Sequence, residues 1–293
     1  MGKASKDKRD IYYRKAKEEG WRARSAYKLL QIDEEFQLLE GVQRVVDLCA
    51  APGSWSQVLS RRLYLPAIKS EADHVPKIVA VDLQPMAPVE GVTLIQGDIT
   101  SEVTAMEVIK HFEGGQADLV VSDGAPDVTG LHDLDEYVQG QLILAALTIV
   151  THVLRPGGTF VAKVFRGKDI SLLYSQLKTL FPDVVCAKPK SSRNSSIESF
   201  VVCQNFTPPP GLNNTILRSL LAGASQEYSL GGESLATRQL VPFMACGDLS
   251  GWDADRNYDL EEGKEILDPV QPPTDPAYKE AIKLEKGKAG VIF

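Results

Sequence analysis

Along the first 205 residues the hydrophobic pattern switches repeatedly between two periods. Short β-branched, apolar runs with the character of buried strands occur at 44–49 (RVVDLC), 78–82 (IVAVD), 92–96 (VTLIQ), 118–123 (DLVVSD), 159–165 (TFVAKVF), 184–188 (VVCAK) and 199–204 (SFVVCQ). Between several of them, residues 55–63, 103–112, 134–154 and 172–181 space their apolar side chains at helical intervals. Strands alternating with helices predict an α/β fold, a parallel sheet with helices on both faces. In such a sheet the ligand lies outside the carboxyl ends of the strands, where strand order reverses, so chemistry is expected in the residues that follow each strand. After residue 205 the periodicity fades and 8 of the 17 prolines fall in the remaining stretch, which predicts an extended or partner-docking tail.

The first strand ends in DLCAAPGSWSQ, residues 47–57, and leads into a helix. Gly53 there lets the backbone approach a ligand closely, and the helix start offers N–H groups to an anion. The spacing is not GxGxxG, which disfavours a nicotinamide dinucleotide. The second strand ends at Asp82, whose carboxylate suits the two hydroxyls of a ribose, and the third is followed by Asp98, placed to meet a base edge. Gly53, Asp82 and Asp98 at three successive strand ends predict a nucleoside-shaped site. The fourth strand delivers Asp123 in SDGAP, and the fifth carries Lys163 in AKVFRG. A lysine inside an apolar strand is costly to bury without a carboxylate partner. Asp123 and Lys163 are therefore expected to meet, either as a structural ion pair or as catalytic groups.

Composition narrows the field. No apolar run approaches the roughly 20 residues of a membrane span, and the opening MGKASKDKRD lacks the apolar core of a signal peptide; neither a membrane nor a secreted protein is expected. Cys49, Cys186, Cys203 and Cys246 match no metal or disulfide spacing, and His74, His111, His132 and His152 form no ligand pair. No metal site is expected, and a reducing compartment fits, the cytoplasm with the nucleus as a second location. The 293 residues carry 32 basic and 39 acidic side chains, a formal charge of −7, which on its face opposes a nucleic-acid partner. The charge is unevenly spread: residues 1–28 hold ten Lys/Arg against four acids, whereas residues 29–204 and 205–293 are both acidic. A basic arm on an acidic body suggests contact with a phosphate backbone.

Together these motifs carry a specific resemblance. DLCAAPGSWSQ, SDGAP, FVAKVFRG and SSRNSSIESF (residues 191–200) resemble the FtsJ (RrmJ) family of S-adenosylmethionine-dependent RNA ribose 2′-O-methyltransferases. The resemblance implies a Rossmann-like methyltransferase fold with a seven-stranded, mostly parallel sheet. It also implies a Lys-Asp-Lys-Glu tetrad, which falls on Lys28, Asp123, Lys163 and Glu198, and cofactor contacts at Gly53, Trp55, Asp82, Asp98 and Asp123. The chain would divide into a basic helical arm (1–40), a catalytic domain (41–205) and a proline-rich acidic extension (206–293). The stretch from KDKRDIYYRKAKEEGWRARSAYKLL into the first strand, GAPDVTGLHDLDEY and the tail segment VPFMACGDLSGWDADRNY are similar to the eukaryotic cytosolic branch. That branch methylates anticodon-loop riboses of tRNA, at positions 32 and 34, and acts with an accessory protein subunit of helical-repeat or WD-repeat type.

Methyl transfer from a sulfonium to a hydroxyl is an in-line displacement that needs the attacking oxygen about 3 Å from the methyl carbon. Lys163 is the candidate that accepts or steers the hydroxyl proton, with Asp123 holding it and Glu198 orienting Lys28. Arg22, Arg24, Arg166, Lys168, Lys188, Lys190 and Arg193 are the candidates for phosphate contacts. Rival readings are a ribosomal-RNA or mRNA-cap ribose methyltransferase, a non-catalytic RNA-binding assembly factor and a small-molecule O-methyltransferase. The last two conflict with the intact tetrad and the basic arm.

Overall fold

The structure, a computed structural model, describes residues 11–126, 132–167, 170–193 and 196–212. The chain divides into two compact units, Met1–Met244 and Ala245–Phe293, and every described residue belongs to the first. The expected tail beyond Leu212, and Lys168 with it, lie outside the described residues.

All seven expected strands form: β1 (Arg44–Leu48), β2 (Lys77–Asp82), β3 (Val92–Gln96), β4 (Ala117–Ser122), β5 (Leu154–Phe165), β6 (Asp183–Ala187) and β7 (Glu198–Gln204). They make one sheet of order β3-β2-β1-β4-β5-β7-β6. The first five strands pair in parallel, and β7 runs antiparallel to both β5 and β6. Strand order reverses between β1 and β4, which puts the crevice over their carboxyl ends.

Helices α1 (Ile11–Glu18) and α2 (Ala26–Phe36) form the arm, and α3 (Ser54–Leu59) continues through a π-helical turn, Ser60–Tyr64, into α4 (Leu65–Lys69). Further on lie α5 (Glu102–His111), α6 (His132–Val153) and α7 (Ile170–Lys178). Side-chain alternation sorts the sheet into two cores. Val46, Leu48, Val79, Val81 and Phe160 face α5, α6 and α7, whereas Val45, Leu119, Val121, Val161 and Phe200 face α2 and α3. The arm is thus a structural layer, because Ala26, Leu29 and Ile32 of α2 are buried against that second face.

Candidate active site

The alternation that builds the second core also aims the reactive side chains. On β4, Leu119 and Val121 face α2, so Asp123 continues the same parity just past the strand end. On β5, Val161 faces α2 and so does Lys163; on β7, Phe200 and Val202 do, and Glu198 with them. Lys163 pairs with Phe200 and Phe165 with Glu198, so Lys163 and Glu198 are diagonal neighbours on one face. Helix α2 then lowers Lys28 onto the group.

The four side chains meet. Lys163 Nζ lies 2.8 Å from Oδ1 of Asp123 and donates to the Asp123 main-chain carbonyl at 2.7 Å. Oε2 of Glu198 accepts from Lys28 Nζ at 2.8 Å and lies 3.8 Å from Lys163 Nζ. Its other oxygen accepts from the Ser192 hydroxyl at 2.7 Å. Burial alone would raise the Glu198 carboxyl, but the charges of Lys28 and Lys163, with the hydrogen bonds from Lys28 and Ser192, hold it below the usual carboxylate range. Lys163 is 7% exposed, so its ammonium is shielded from bulk water and faces carboxylates on two sides.

The donor crevice lies beside this group. Gly53 adopts φ +100° at the start of α3, and a Cβ there would sit 2.5 Å from Nη1 of Arg22 and 2.8 Å from Sδ of Met86. Only glycine fits on both counts. The two oxygens of Asp82 accept from the N–H of Ala51 and of Gln84, each at 2.8 Å, which locks the carboxylate at the β2 end beside the glycine loop. Oδ1 of Asp98 accepts from the Thr100 N–H and hydroxyl, and nothing among the described residues bonds Oδ2. Beneath the loop, Asp47 is fully buried, takes a hydrogen bond from Ser56 on Oδ2 at 2.6 Å and has no hydrogen-bond partner on Oδ1 among the described residues. Burial, with the nearby charges of Asp123 and Asp82, pushes its carboxyl up to about 7 against the Ser56 hydrogen bond. A glycine cradle, two carboxylates at strand ends and an orphaned buried oxygen suit a ligand with an ammonium, a ribose and an amino-bearing base. The residues fit S-adenosylmethionine.

A family model for the FtsJ-like methyltransferases matches residues 21–206, well over half of the chain. The chain belongs to this family. A mouse tRNA (cytidine(32)/guanosine(34)-2′-O)-methyltransferase is 61% identical over 292 residues, 98% of this chain and 87% of that protein. A protein of the same name from Schizosaccharomyces pombe is 58% identical over 98% of this chain and 99% of its own length. Among solved structures, a Plasmodium falciparum ribosomal RNA methyltransferase has a TM-score of 0.56 at 28% identity, covering 64% of this chain and 98% of that one.

Within this FtsJ-like site several of the expected residues also serve the fold. Trp55 is 1% exposed; its indole N–H donates to the Ser25 carbonyl at 2.9 Å and its ring lies 5.6 Å from that of Phe200. Its indole packs the second core. Arg22 and Arg24, expected on phosphates, serve the fold. Arg22 donates to the carbonyls of Pro52, Ala87 and Pro88, strapping the arm across the glycine loop and the segment after β2. Arg24 donates to the Ser191 carbonyl. Lys188 likewise donates to the carbonyls of Ser196 and Glu198, each at 2.8 Å, and pins the start of β7. Burial first, and then the charge of Arg166, holds its ammonium below the usual lysine range, a sign of the positive field at this end of the sheet. Arg166, Lys190 and Arg193 are exposed there. The residues that the sequence did not single out are Ser25, Ser54, Arg61 and Gln139, polar side chains whose partners are far away in sequence, and Ser192, which bonds Glu198 six residues on.

Proposed function

We propose that this FtsJ-like enzyme transfers the methyl group of S-adenosylmethionine to ribose 2′-hydroxyls of the tRNA anticodon loop, at positions 32 and 34. The observation that carries this reading is the assembled Lys28–Glu198–Lys163–Asp123 group at the carboxyl ends of β4 and β5. The substrate is read from the mouse and fission-yeast relatives, whose names specify those two nucleotides. Identity of 58–61% with them over 98% of this chain favours tRNA as the substrate.

The bound cofactor supplies an electrophilic methyl group. Gly53 and the adjoining backbone would take its methionine end, Asp82 the ribose hydroxyls and Asp98 the amino edge of the adenine. Asp123 holds the Lys163 amine from two atoms, so the amine has one direction left to present to a ribose hydroxyl. Lys163 steers the 2′ proton and, in its charged form, stabilises the developing alkoxide. Lys28, oriented by Glu198, adds a second positive charge on the side from which RNA phosphates arrive. Arg166, Lys190 and Arg193 extend that surface toward the phosphate backbone.

The test is methylation of total tRNA and rRNA with labelled cofactor, followed by mapping of the modified nucleotides. Label at positions 32 and 34 of tRNA is expected; label confined to rRNA would replace the reading. In the same assay Lys163→Ala should abolish single-turnover methylation while S-adenosylhomocysteine binds within about twofold of wild type. Near-normal turnover by that variant would remove Lys163 from its role.

The acidic, proline-rich extension, residues 206–293, is our candidate for docking an accessory protein subunit of helical-repeat or WD-repeat type, and the cytoplasm our candidate location. The free thiols of Cys49, Cys186 and Cys203 support a reducing compartment. Affinity purification of the full chain and of a version ending at Leu212 should recover the subunit with the first alone. Equal recovery would move the docking surface to the catalytic domain.

A further inference from the structure

The parallel ladder between β4 and β5 ends at the pair Ser122 and Ala162. One residue further the two chains carry Asp123 and Lys163, and there they diverge toward the crevice. One side chain spans the divergence: Nε2 of Gln139 donates to the main-chain carbonyl of Lys163 at 2.8 Å and to that of Gly124 at 3.1 Å. Gln139 stands on α6, against the opposite face of the sheet from α2, and is 2% exposed. Three residues before it, Glu136 lies against Gly167 at the far end of β5, where a Cβ would overlap its carboxylate. The early turns of α6 therefore press on both strand ends that hold the tetrad.

The other half of the Gln139 amide is instructive. Its Oε1 is buried and has no hydrogen-bond partner among the described residues. A leucine or methionine would fill the same space without burying an orphaned acceptor. What neither could do is bond two carbonyls that belong to different strands. Glutamine at this point gains only the clamp, and the clamp acts on the residues adjoining Asp123 and on Lys163 itself.

We infer that Gln139 is a positioning residue for methyl transfer, whose amide fixes the gap between the β4 and β5 ends and thereby the placement of the Lys163 amine against Asp123. The inference rests on the tetrad reading above. It requires no contact between Gln139 and either substrate. Misplacement of a reacting group by about 1 Å can cost on the order of a hundredfold in rate, so a loosened clamp should be visible in chemistry before it is visible in binding.

The test uses the full chain, assayed on undermethylated tRNA in an extract of cells that lack it, so that any accessory subunit is supplied. Wild type and Lys163→Ala run alongside as references. Gln139→Leu removes both donors and should lower the single-turnover rate at least about tenfold, while S-adenosylhomocysteine affinity, titrated on the purified chain, stays within about twofold. Gln139→Glu separates positioning from packing. As a carboxylate it opposes two carbonyls, whereas protonated it can donate to one of them again, so its rate relative to wild type should climb as pH falls. A space-filling role predicts a ratio independent of pH. Wild-type rates for Gln139→Leu, or a flat ratio for Gln139→Glu, overturn the inference; if the leucine variant does not fold, the pH profile decides alone. Inactivity of the wild type, or full activity of Lys163→Ala, would instead overturn the tetrad reading.

Discussion

Asp47 and Glu198 are both buried carboxyls at the site, and they respond to pH in opposite senses. Glu198 sits between two lysines and is held below its ordinary value, so its pairing stabilises the fold above that ordinary value and is lost as pH falls through the lowered one. Asp47 is pushed up to about 7. Between its ordinary value near 3.8 and about 7 the folded chain keeps a proton that the unfolded chain has released. Stability must therefore decline across that window as pH rises. Asp47→Asn removes the titration while leaving an oxygen for the Ser56 hydroxyl. Its stability advantage over wild type should be small near pH 4, grow to a few kcal/mol by about pH 7 and then level off, as checked by denaturant unfolding across pH. An advantage that does not change with pH would mean that Asp47 ionises in the fold as it does in the unfolded chain. In the sequence Asp47 is a strand-end carboxylate that either assists the methionine amine or orders the strand end; that its second oxygen has no partner among the described residues depends on what lies beneath the loop.

Among the elements, local pattern located every strand, because buried β-branched runs flanked by polar turns admit few other readings. It misplaced the start of β5, expected at 159 and found at Leu154. The reason lies outside the segment: Gly157 and Gly158 exchange hydrogen bonds with Phe206, which extends backbone that local propensity reads as a turn. The first crossover helix was expected to stop at 63, but a π-helical turn carries it on to Lys69. At Trp55 the sequence showed an aromatic next to a ligand loop and could not show that α2 covers its indole. Its role is now testable. Trp55→Phe deletes the hydrogen bond to the Ser25 carbonyl and part of the packing on Phe200. A loss of about 1–3 kcal/mol is expected by denaturant titration. Ser25 precedes Lys28 by three residues, so single-turnover rate should fall further than S-adenosylhomocysteine affinity. Equal losses in both would assign the indole to the donor pocket after all.

For the whole molecule, the total of −7 hides the distribution that matters. The arm carries the excess of cations, yet the structure spends two of its arginines, Arg22 and Arg24, on main-chain carbonyls. Asp123 and the donor acids were legible in sequence because each ends or follows a strand, and Lys163 because it interrupts an apolar one; the stitching between arm and loop was not, since it joins residues 29 or more apart. Arg22 reaches Pro52, Ala87 and Pro88, the Ser25 and Ser54 hydroxyls meet at 2.5 Å, and Arg61 holds the carbonyls of Glu19 and Gly20 under the ring of Trp21. The loop that receives the methyl donor and the arm that delivers Lys28 to the RNA side are consequently one mechanical piece. Two ligands that grip the same piece communicate, and thermodynamics makes the conversation symmetrical. S-adenosylhomocysteine should tighten tRNA binding by some factor, and tRNA should tighten S-adenosylhomocysteine binding by that same factor. Arg22→Ala should bring both factors toward one, in paired titrations at fixed salt.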